Sequence, residues 1–477
     1  MKISEIFNLH KSQVELDFVD IDTSKDTPLF VDPFLLSKKE DPWSLDAIAT
    51  LRNFFQQIVN LIIQERIDDA KELFDYLHEP NVTCLGMSKG QPQGRGVGKD
   101  DTDKVFKRLI KSQAIKTGLI QDIEDNILFI DKFGKDKLSD MATNIILGHL
   151  IQYTQKQCIL HSIPMVRIPS GYYWDRHIME WETEYTDMLV HNDQKIVLVP
   201  KGIVSFCKAY MPDKYYNHFV LNFMQQEHIR LNSALVFKRK DGTPYVTKKS
   251  IKQTTSYSKE FLIRFTNAHP NILTLFKDRT FVSSLSNEDI SNVDINVEEI
   301  ALDLANRLSS IPMGNESASA YHNIMIGILE LLFYPHLISP YKEREIHDGR
   351  KRIDIVFENA AESNTIFDRI INKHRIPCPY VFMECKNYSR EVANPELDQL
   401  AGRFSPRRGK MGFLLCRKID DMQLFMQRCK DTFNDDRGLI IPLEDTDIIE
   451  LLNNIKPYTR NIYLENFIQE RIGKIIM

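Results

Sequence analysis

The chain has 477 residues, more than a single hydrophobic core usually supports, so two or three domains are expected. Its composition is 43% hydrophobic and 27% charged, as in ordinary globular proteins, and its formal net charge is −5. The lack of any apolar stretch long enough to span a bilayer, and of a signal peptide in MKISEIFNLH, excludes a membrane protein and predicts a cytoplasmic location. The seven cysteines lack metal-binding spacing and are expected to be reduced thiols.

Residues 1–255 are predicted to form a mixed α/β domain that recognises a target, regulates the rest of the chain or mediates oligomerisation. The elements expected there are, in chain order, a strand-like segment at 17–33, a helical stretch at 44–77, a long helix at 136–164 and a buried strand at 195–200. We expect the long helix to be capped near Ser139 or Asp140.

A glycine-rich segment at 86–99 superficially resembles a phosphate-binding loop. The pattern G-x-x-x-x-G-K-[ST] would need Gly at position 93 and Ser or Thr at position 100, where the chain has Gln93 and Asp100. The segment is therefore interpreted as a connector. A flexible basic loop that touches nucleic acid or a partner is the alternative.

Three further segments lead towards the C-terminal region. Glu180, Glu182 and Glu184 alternate along the chain, so a strand would expose all three on one solvated face. The lysine-rich residues 238–253 carry an Asp-Gly turn between strand-like runs and predict a β-hairpin. Residues 256–314 are polar with a helical pattern and predict a helical bridge.

Two strands in the last third of the chain carry charged residues beside buried apolar runs. GRKRIDIVFEN contains Asp354, and PYVFMECKNYS contains Glu384 and Lys386. Because side chains at i and i+2 share a face of a strand, Glu384 and Lys386 point together, while Met383 and Cys385 point into the core. Two charged side chains are thus expected next to each other at the end of a buried strand.

Charged groups at that depth are costly unless something binds them, and a divalent cation held by Asp354 and Glu384 would compensate. Mg²⁺, or Mn²⁺ in its place, suits hard carboxylate oxygens and keeps several waters, one of which is available to attack phosphorus. Lys386 would orient or deprotonate that water, or stabilise the oxyanion.

This arrangement resembles the PD-(D/E)XK, or restriction-endonuclease-like, nuclease superfamily over roughly residues 300–477. Asp354 corresponds to the first acidic residue and Glu384-Cys385-Lys386 to the ExK element. The resemblance implies that Asp354, Glu384 and Lys386 are catalytic and that the two carboxylates bind the metal.

Two flanking helices extend the resemblance. Glu330 lies on a predicted helix 24 residues before Asp354, where many members place an additional metal-binding carboxylate. Downstream, Asn394 and Pro395 form a good N-cap and first-turn pair of a helix that carries Gln399. A glutamine in that helix is typical of Mrr-like and other defence-associated branches, which implies that Glu330 and Gln399 belong to the site.

The resemblance implies a multidomain α/β protein in which residues 315–477 form a restriction-endonuclease-like αβββαβ core with additions. The expected order is a helix at 315–334, a strand at 341–347, the Asp354 strand, the Glu384 strand, the Asn394 helix, a strand at 410–418, a helix from Asp421, a strand at 438–443 and a helix from Asp445. Ile353 stands where the name-giving proline would be, and the long connection between the catalytic strands predicts an inserted amphipathic helix at 362–374.

Two basic clusters are candidates for phosphate contacts at the rim of the cleft. They are formed by Arg350, Lys351 and Arg352, and by Arg403, Arg407, Arg408 and Lys410. Solvated loops are the alternative, and Arg403 could instead contact a neighbouring carboxylate. Glu345, Asp348 and Glu358 are expected to be surface charges.

These residues predict a metal-dependent endonuclease that hydrolyses phosphodiester bonds of DNA, with RNA left open as a substrate. The resemblance implies a role in prokaryotic antiphage or restriction defence. The expected partners are DNA and either a second copy of this chain or a partner defence protein. Two alternatives stay open: a non-catalytic nucleic-acid-binding or protein-binding subunit of a defence complex, and a DNA repair or junction nuclease.

Overall fold

The computed structural model describes residues 1–78, 80–86, 99–291, 296–342, 355–361, 363–455 and 460–477. They form a mixed α/β protein with two large hydrophobic cores. The first core is built from buried side chains between Ile3 and Ile290. The second core is built from side chains between Val297 and Ile475, together with Val14 and Leu160.

The first core is mainly helical. Its helices are Ile3–Ile6, Pro33–Leu36, Pro42–Ile63, Ile67–Phe74, Lys99–Lys111, Gln113–Lys116, Asp125–Phe129, Lys135–Ile145, Leu147–His161, Pro212–Tyr215, Leu221–Arg230, Lys248–Thr254, Lys259–Ala268, Pro270–Arg279 and Asn287–Ser291. A π-helical turn at Tyr216–Val220 and 3₁₀ turns at Gln13–Glu15 and Lys201–Ile203 connect some of them.

Small antiparallel sheets complete this half. Three strands, Val166–Pro169, Tyr185–His191 and Gln194–Ile196, form one sheet. The strand pairs are Phe30–Val31 with Val204–Ser205, Tyr173–Asp175 with Glu180–Glu182, and Phe237–Lys238 with Pro244–Tyr245. The last pair is the hairpin that the Asp-Gly turn predicts.

The long helices of this half differ from their predicted bounds. The stretch 44–77 is two helices, and the chain turns between them at Glu65, where φ is +61°. The predicted long helix at 136–164 is also two helices, and the first begins at Lys135. Neither Ser139 nor Asp140 is its cap, because both lie inside the helix, whose N-cap is Gly134. The buried Ser139 hydroxyl instead accepts a hydrogen bond from the backbone N–H of Val31 at 3.0 Å.

The apolar run at 195–200 is buried, but only its start belongs to a strand. Beyond Ile196 its backbone bonds with separate parts of the chain, because the Val197 N–H donates to the Val82 carbonyl at 2.8 Å and the Val199 carbonyl accepts from the Val19 N–H at 3.0 Å. A buried backbone needs such partners even where no neighbouring strand runs beside it.

The second core is built on a five-stranded sheet whose spatial order follows the chain. Its strands are Leu337–Tyr341, Ile355–Asn359, Tyr380–Lys386, Met411–Cys416 and Leu439–Glu444. The first three strands pair antiparallel and the last three pair parallel. The central strand, Tyr380–Lys386, is flanked by strands that are buried almost throughout, which explains the continuous apolar runs of the sequence.

Helices surround this sheet. They are Val297–Ser310, Ala318–Phe333, Ile366–Asn372, Asn394–Ala401, Met422–Asn434, Asp445–Asn453 and Arg460–Ile476. The helix predicted between the Asp354 and Glu384 strands is present as Ile366–Asn372. Asp421 accepts from the Leu424 N–H at 2.9 Å and so caps the helix predicted to start there. The strand predicted at 341–347 is observed earlier in the chain, at Leu337–Tyr341. Residues 343–347 lie outside the described residues.

Buried polar groups join the two cores. Lys201 is fully buried, and its Nζ lies 3.2 Å from Oε2 of Glu330 on the helix Ala318–Phe333. Asp17 accepts the backbone N–H of Ser339 at 3.0 Å, in the first strand of the five-stranded sheet. Residues 256–314 are largely helical where described, and their side chains divide between the two cores.

Glu358 belongs to the same buried region, so its prediction as a surface charge is wrong. Its side chain is 3% exposed, and its Oε2 accepts the Trp43 N–H at 2.7 Å, in the first turn of the helix Pro42–Ile63. Such N–H groups have no partner within their helix. Burial and the nearby Asp41 raise the pKa of Glu358 to about 7. Glu345 and Asp348 lie outside the described residues.

No described helix combines the length and the apolar character that crossing a membrane requires.

Candidate active site

Glu384 and Lys386 lie at the end of the central strand and inside the protein. Glu384 is 0% exposed and Lys386 is 7% exposed. The neighbouring parallel strand places Leu414 opposite Glu384 and Cys416 opposite Lys386. The two charged side chains are therefore set among apolar neighbours, as the strand alternation predicts.

The two side chains contact each other and a second pair of polar groups. Lys386 Nζ lies 2.6 Å from Glu384 Oε1 and donates a hydrogen bond to Gln399 Oε1 at 3.0 Å. Arg403 is also buried, and its guanidinium pairs with Oε2 of Glu384. Glu384, Lys386, Gln399 and Arg403, with His322 described below, are called the Glu384 cluster.

Gln399 and Arg403 reach the cluster from one helix and its end. The helix Asn394–Ala401 packs on the neighbouring strand Met411–Cys416, and Arg403 follows the helix by two residues. Its N-cap is Ala393, whose N–H donates to Glu396 Oε2 at 2.8 Å, so the cap lies one residue before the predicted Asn394. The structure thus shows Gln399 in contact with Lys386, while its role in a catalytic site stays a prediction. Arg403 contacts a neighbouring carboxylate, as its alternative interpretation states.

His322 is a member of the cluster that sequence reasoning missed. It lies on the helix Ala318–Phe333, and burial lowers the pKa of its imidazole, while a hydrogen bond to the Cys385 backbone and the charge of Glu384 oppose the change. The charges of Lys342 and Lys386 lower this pKa further. The sequence carried little signal for it, because His322 lies in the first turns of this helix, before the apolar run that begins at Ile324.

Glu330 lies on the same helix as His322 but does not join the Glu384 cluster. It is 1% exposed and pairs with Lys201 of the first core. Burial raises its pKa to about 8 against the opposing charge of Lys201, and the other charges that act on it belong to Asp17 and Lys11. These contacts do not support the metal-binding role that the sequence predicted for Glu330.

The remaining predicted residues differ in what the structure says of them. Asp354, Arg350 and Arg352 lie outside the described residues. Arg407 is exposed, which suits contact with a phosphate. Arg408 donates a hydrogen bond to the Arg403 carbonyl at 2.6 Å, and its guanidinium lies over the ring of Phe382 in the central strand.

The described side chains contain no group of three or more His, Cys, Asp or Glu placed to hold a metal ion. The described part of the Glu384 cluster offers one carboxylate and two cations. The neighbouring strand begins at Ile355, which pairs with Met383, and Asp354 directly precedes Ile355 in the sequence.

The chain is similar to a protein-family model and to a curated protein. Residues 8–211 match the model of a family described as a domain of unknown function, DUF8370. The chain is also similar to the "Putative transposon gamma-delta 80.3 kDa protein" of Escherichia coli (strain K12), at 25% identity over 178 residues, which are 36% of this chain and 24% of that protein. The chain thus matches about a quarter of the length of this curated relative. No solved structure matches the chain. The family match covers residues of the first core, together with Val14 and Leu160 of the second, and does not include the Glu384 cluster.

Proposed function

We propose that the protein is a metal-dependent nuclease of the restriction-endonuclease-like class, which hydrolyses phosphodiester bonds of DNA at the Glu384 cluster. The observation that carries the proposal is the burial of Glu384 and Lys386 next to each other at the end of the central strand, in contact with Gln399. Burying ionised groups among apolar neighbours costs free energy. A site that needs a carboxylate and a lysine in contact explains why the chain keeps them there.

The order of the sheet supports the same class. A helix, three antiparallel strands, a helix and a parallel strand follow one another in the expected αβββαβ order, with the inserted helix Ile366–Asn372 and further elements after it. Under the proposal Asp354 supplies the second carboxylate. Opposite residues of antiparallel strands share a face, and Asp354 and Glu384 are each one residue beyond the pair Ile355 and Met383.

The residues present fit a hard divalent cation such as Mg²⁺ or Mn²⁺ in their donor chemistry. Asp354 and Glu384 would hold it through carboxylate oxygens. When bound, such an ion lowers the pKa of a coordinated water and neutralises charge on the phosphate. The Glu384 oxygens pair with Lys386 and Arg403, and the carboxylate has further lone pairs with which it would coordinate the ion.

Lys386 is the group placed to act on the reaction. Its ammonium can orient the attacking water or stabilise the negative charge that develops on the phosphorus oxygens. Gln399 fixes the position of the ammonium through its amide oxygen, so we assign it a positioning role. Burial lowers the pKa of His322, which favours the neutral form of its imidazole beside the cations of the site.

DNA is the favoured substrate, and antiphage or restriction defence is the favoured role, because nucleases of the class that the chain resembles serve in such systems. The similarity to a protein named for a transposon also favours a DNA substrate. A second candidate is a non-catalytic binding subunit. The pairing of both Glu384 oxygens with cations favours it, since a structural ion-pair network has the same appearance.

The test is cleavage of supercoiled plasmid, linear duplex, single-stranded DNA and RNA by the purified chain, with Mg²⁺, with Mn²⁺ and with a chelator. We expect metal-dependent cleavage of DNA that Asp354→Asn, Glu384→Gln and Lys386→Met each reduce by at least about a hundredfold, in line with the loss of one electrostatic contact to a transition state. Thermal unfolding of each variant separates loss of chemistry from loss of folding.

Matched controls come from the exposed ion pair of Lys418 and Asp420, which lies 2.7 Å apart on the surface of the same half. Lys418→Met and Asp420→Asn remove the same charges and are expected to retain cleavage. If folded Asp354 and Lys386 variants cleave as well as the wild type, the assigned site is wrong. If the wild type cleaves no substrate with either metal, the binding-subunit alternative is favoured.

A further inference from the structure

A basic surface lies far along the sequence from the Glu384 cluster, at residues 237–252. It contains six cationic residues, Lys238, Arg239, Lys240, Lys248, Lys249 and Lys252, and one acidic residue, Asp241, whereas the whole chain has a formal net charge of −5. The segment forms a β-hairpin, Phe237–Lys238 with Pro244–Tyr245, followed directly by the helix Lys248–Thr254.

Backbone hydrogen bonds fix the hairpin turn, and its cations are exposed to solvent. The Arg239 N–H donates to the Thr243 carbonyl at 2.9 Å, and the Asp241 carboxylate accepts the Thr243 N–H at 2.9 Å. Gly242 has φ +83°, a conformation that suits glycine in a tight turn. Lys238, Arg239 and Lys240 are all exposed. The single carboxylate of the segment is thus engaged in the turn by the backbone.

The helix places its own cations beside those of the hairpin. Val246 and Ile251 are buried, and the helix Lys248–Thr254 and the second strand of the hairpin both pack on the helix Leu221–Arg230. Lys249 and Lys252 remain exposed. Only residues 246 and 247 separate the two elements, so one anchored unit carries both groups of charges.

These cations have no acidic partners among the described residues. None of the ion pairs there includes any of the six. Lys248 and Lys252 donate instead to neutral groups of Asn217, its carbonyl at 2.6 Å and its side-chain oxygen at 2.7 Å, which positions the two ammonium groups without neutralising them. A surface of this kind repels itself until a polyanion binds.

Aromatic rings accompany the charges. Phe237 is 50% exposed, its ring centroid lies 5.9 Å from that of Tyr245 across the hairpin, and the guanidinium of Arg239 lies 5.7 Å from the centre of the Tyr245 ring. Cations, hydroxyl groups such as those of Thr243 and Thr247, and exposed rings are the groups that contact phosphates and unstacked bases in nucleic-acid complexes.

We propose that residues 237–252 bind the phosphate backbone of DNA and hold the substrate of the nuclease from the N-terminal half of the chain. This inference rests on the proposed function for the identity of the polyanion. DNA is favoured over an acidic protein because a nuclease must hold a substrate that is longer than its active site. Cations that contact phosphates supply such affinity without sequence preference.

The test measures binding of a fluorescent DNA duplex, and of one of its single strands, to the full chain by anisotropy in the presence of a chelator, so that cleavage cannot intervene. The first variant combines Lys238→Gln, Arg239→Gln and Lys240→Gln. We expect it to bind at least about tenfold more weakly at low salt, and to lower the slope of log affinity against log salt by about 2.7, or about 0.9 per phosphate contact in duplex DNA.

The matched control combines Lys25→Gln, Lys116→Gln and Lys373→Gln, three exposed lysines elsewhere on the chain. It removes the same charge and is expected to keep the affinity and salt slope of the wild type. Circular dichroism and thermal unfolding verify that each variant is folded. A second variant, Lys249→Gln with Lys252→Gln, checks whether the helix contributes with the hairpin.

The outcomes separate this inference from the proposed function. A hairpin variant that binds DNA like the wild type, or a control that loses as much affinity, overturns the role of the basic surface even if the wild type cleaves DNA. A wild type that binds DNA through this surface and cleaves nothing with Mg²⁺ or Mn²⁺ retains the surface and overturns the nuclease. A wild type that binds neither duplex nor single strand at low salt overturns the surface.

Discussion

Replacing Glu330 by glutamine tests the buried contact between the two cores. Lys201 lies 3.2 Å from Glu330, 3.3 Å from Asn287 Oδ1 and 4.0 Å from the centre of the Tyr334 ring. Burial raises the pKa of Glu330 to about 8, although Lys201 opposes the change, and the charge of Asp17 raises it further. At neutral pH the folded protein therefore keeps a proton on Glu330.

The size of the expected change in stability follows from the difference between the pKa of Glu330 in the folded and in the unfolded chain. In the unfolded chain Glu330 has its ordinary pKa of 4.5, and in the folded chain its pKa is about 8. Stability from Glu330 is fully present below the lower value and falls as the pH rises towards the upper one, by up to about 1.4 kcal/mol per pH unit. Between about pH 5 and pH 8 the group alone accounts for a decline of roughly 4 kcal/mol in the free energy of unfolding.

Glutamine has nearly the same shape and no proton to lose. We expect Glu330→Gln to be close to the wild type in stability at about pH 5 and more stable than the wild type at about pH 8, by an amount approaching that decline. Urea unfolding at several pH values, followed by circular dichroism, measures the difference. The control Glu391→Gln replaces an exposed carboxylate and is expected to follow the wild type throughout.

Two results would refute the reasoning. One is a constant difference between Glu330→Gln and the wild type across the pH range, and the other is a variant that loses stability relative to the wild type as the pH rises. The same variant also tests the metal-binding role predicted from the sequence. If Glu330→Gln is folded but needs much more Mg²⁺ for cleavage, Glu330 contacts the ion.

Two further substitutions test the sheet and its cluster, and both are measured by urea unfolding. Arg403→Met removes the cation on one oxygen of the buried Glu384, and a loss of about 3 kcal/mol is expected because a buried charge loses a partner; an unchanged midpoint would mean that this pair adds nothing to folding. Gly438→Ala should cost about 2 to 4 kcal/mol, because φ is +115° and the new Cβ would collide with the ring of Phe404. The control Gly242→Ala, at φ +83° with open space around it, should cost about 1 kcal/mol, and equal losses would contradict the steric argument.

Four of the five strands of the second core could be predicted because they are short, mainly apolar and bounded by polar residues; the first was predicted at 341–347 and lies at Leu337–Tyr341, whose Ser339 and Pro340 interrupt the apolar pattern. The contact between Glu384 and Lys386 follows from the pleat alone, since residues two apart share a face. Arg403 and His322 could not be placed in the same way. Arg403 lies beyond the end of its helix and His322 comes from a helix more than fifty residues earlier in the chain, so their approach depends on tertiary packing.

Glu330 and Glu358 show a different limit of the sequence. One was predicted as a metal ligand and the other as a surface charge, and both are buried against the first core. Periodicity shows which residues share a face of a helix or a strand, but it does not show what covers that face. Here the partners are Lys201 and the backbone of Trp43, which lie far away in the sequence.

These contacts also determine how the first half of the chain can influence the site. Asp17 and Gln157 bind the backbone of the strand Leu337–Tyr341, at Ser339 and Pro340, and that strand precedes the Asp354 segment in the sequence. Each of these buried groups has its hydrogen-bond partner in the other half, and losing that partner while the group stays buried would cost its desolvation penalty. The first core therefore contacts the five-stranded sheet that carries Glu384, and under the proposed function the basic surface at residues 237–252 would hold DNA from this half of the chain.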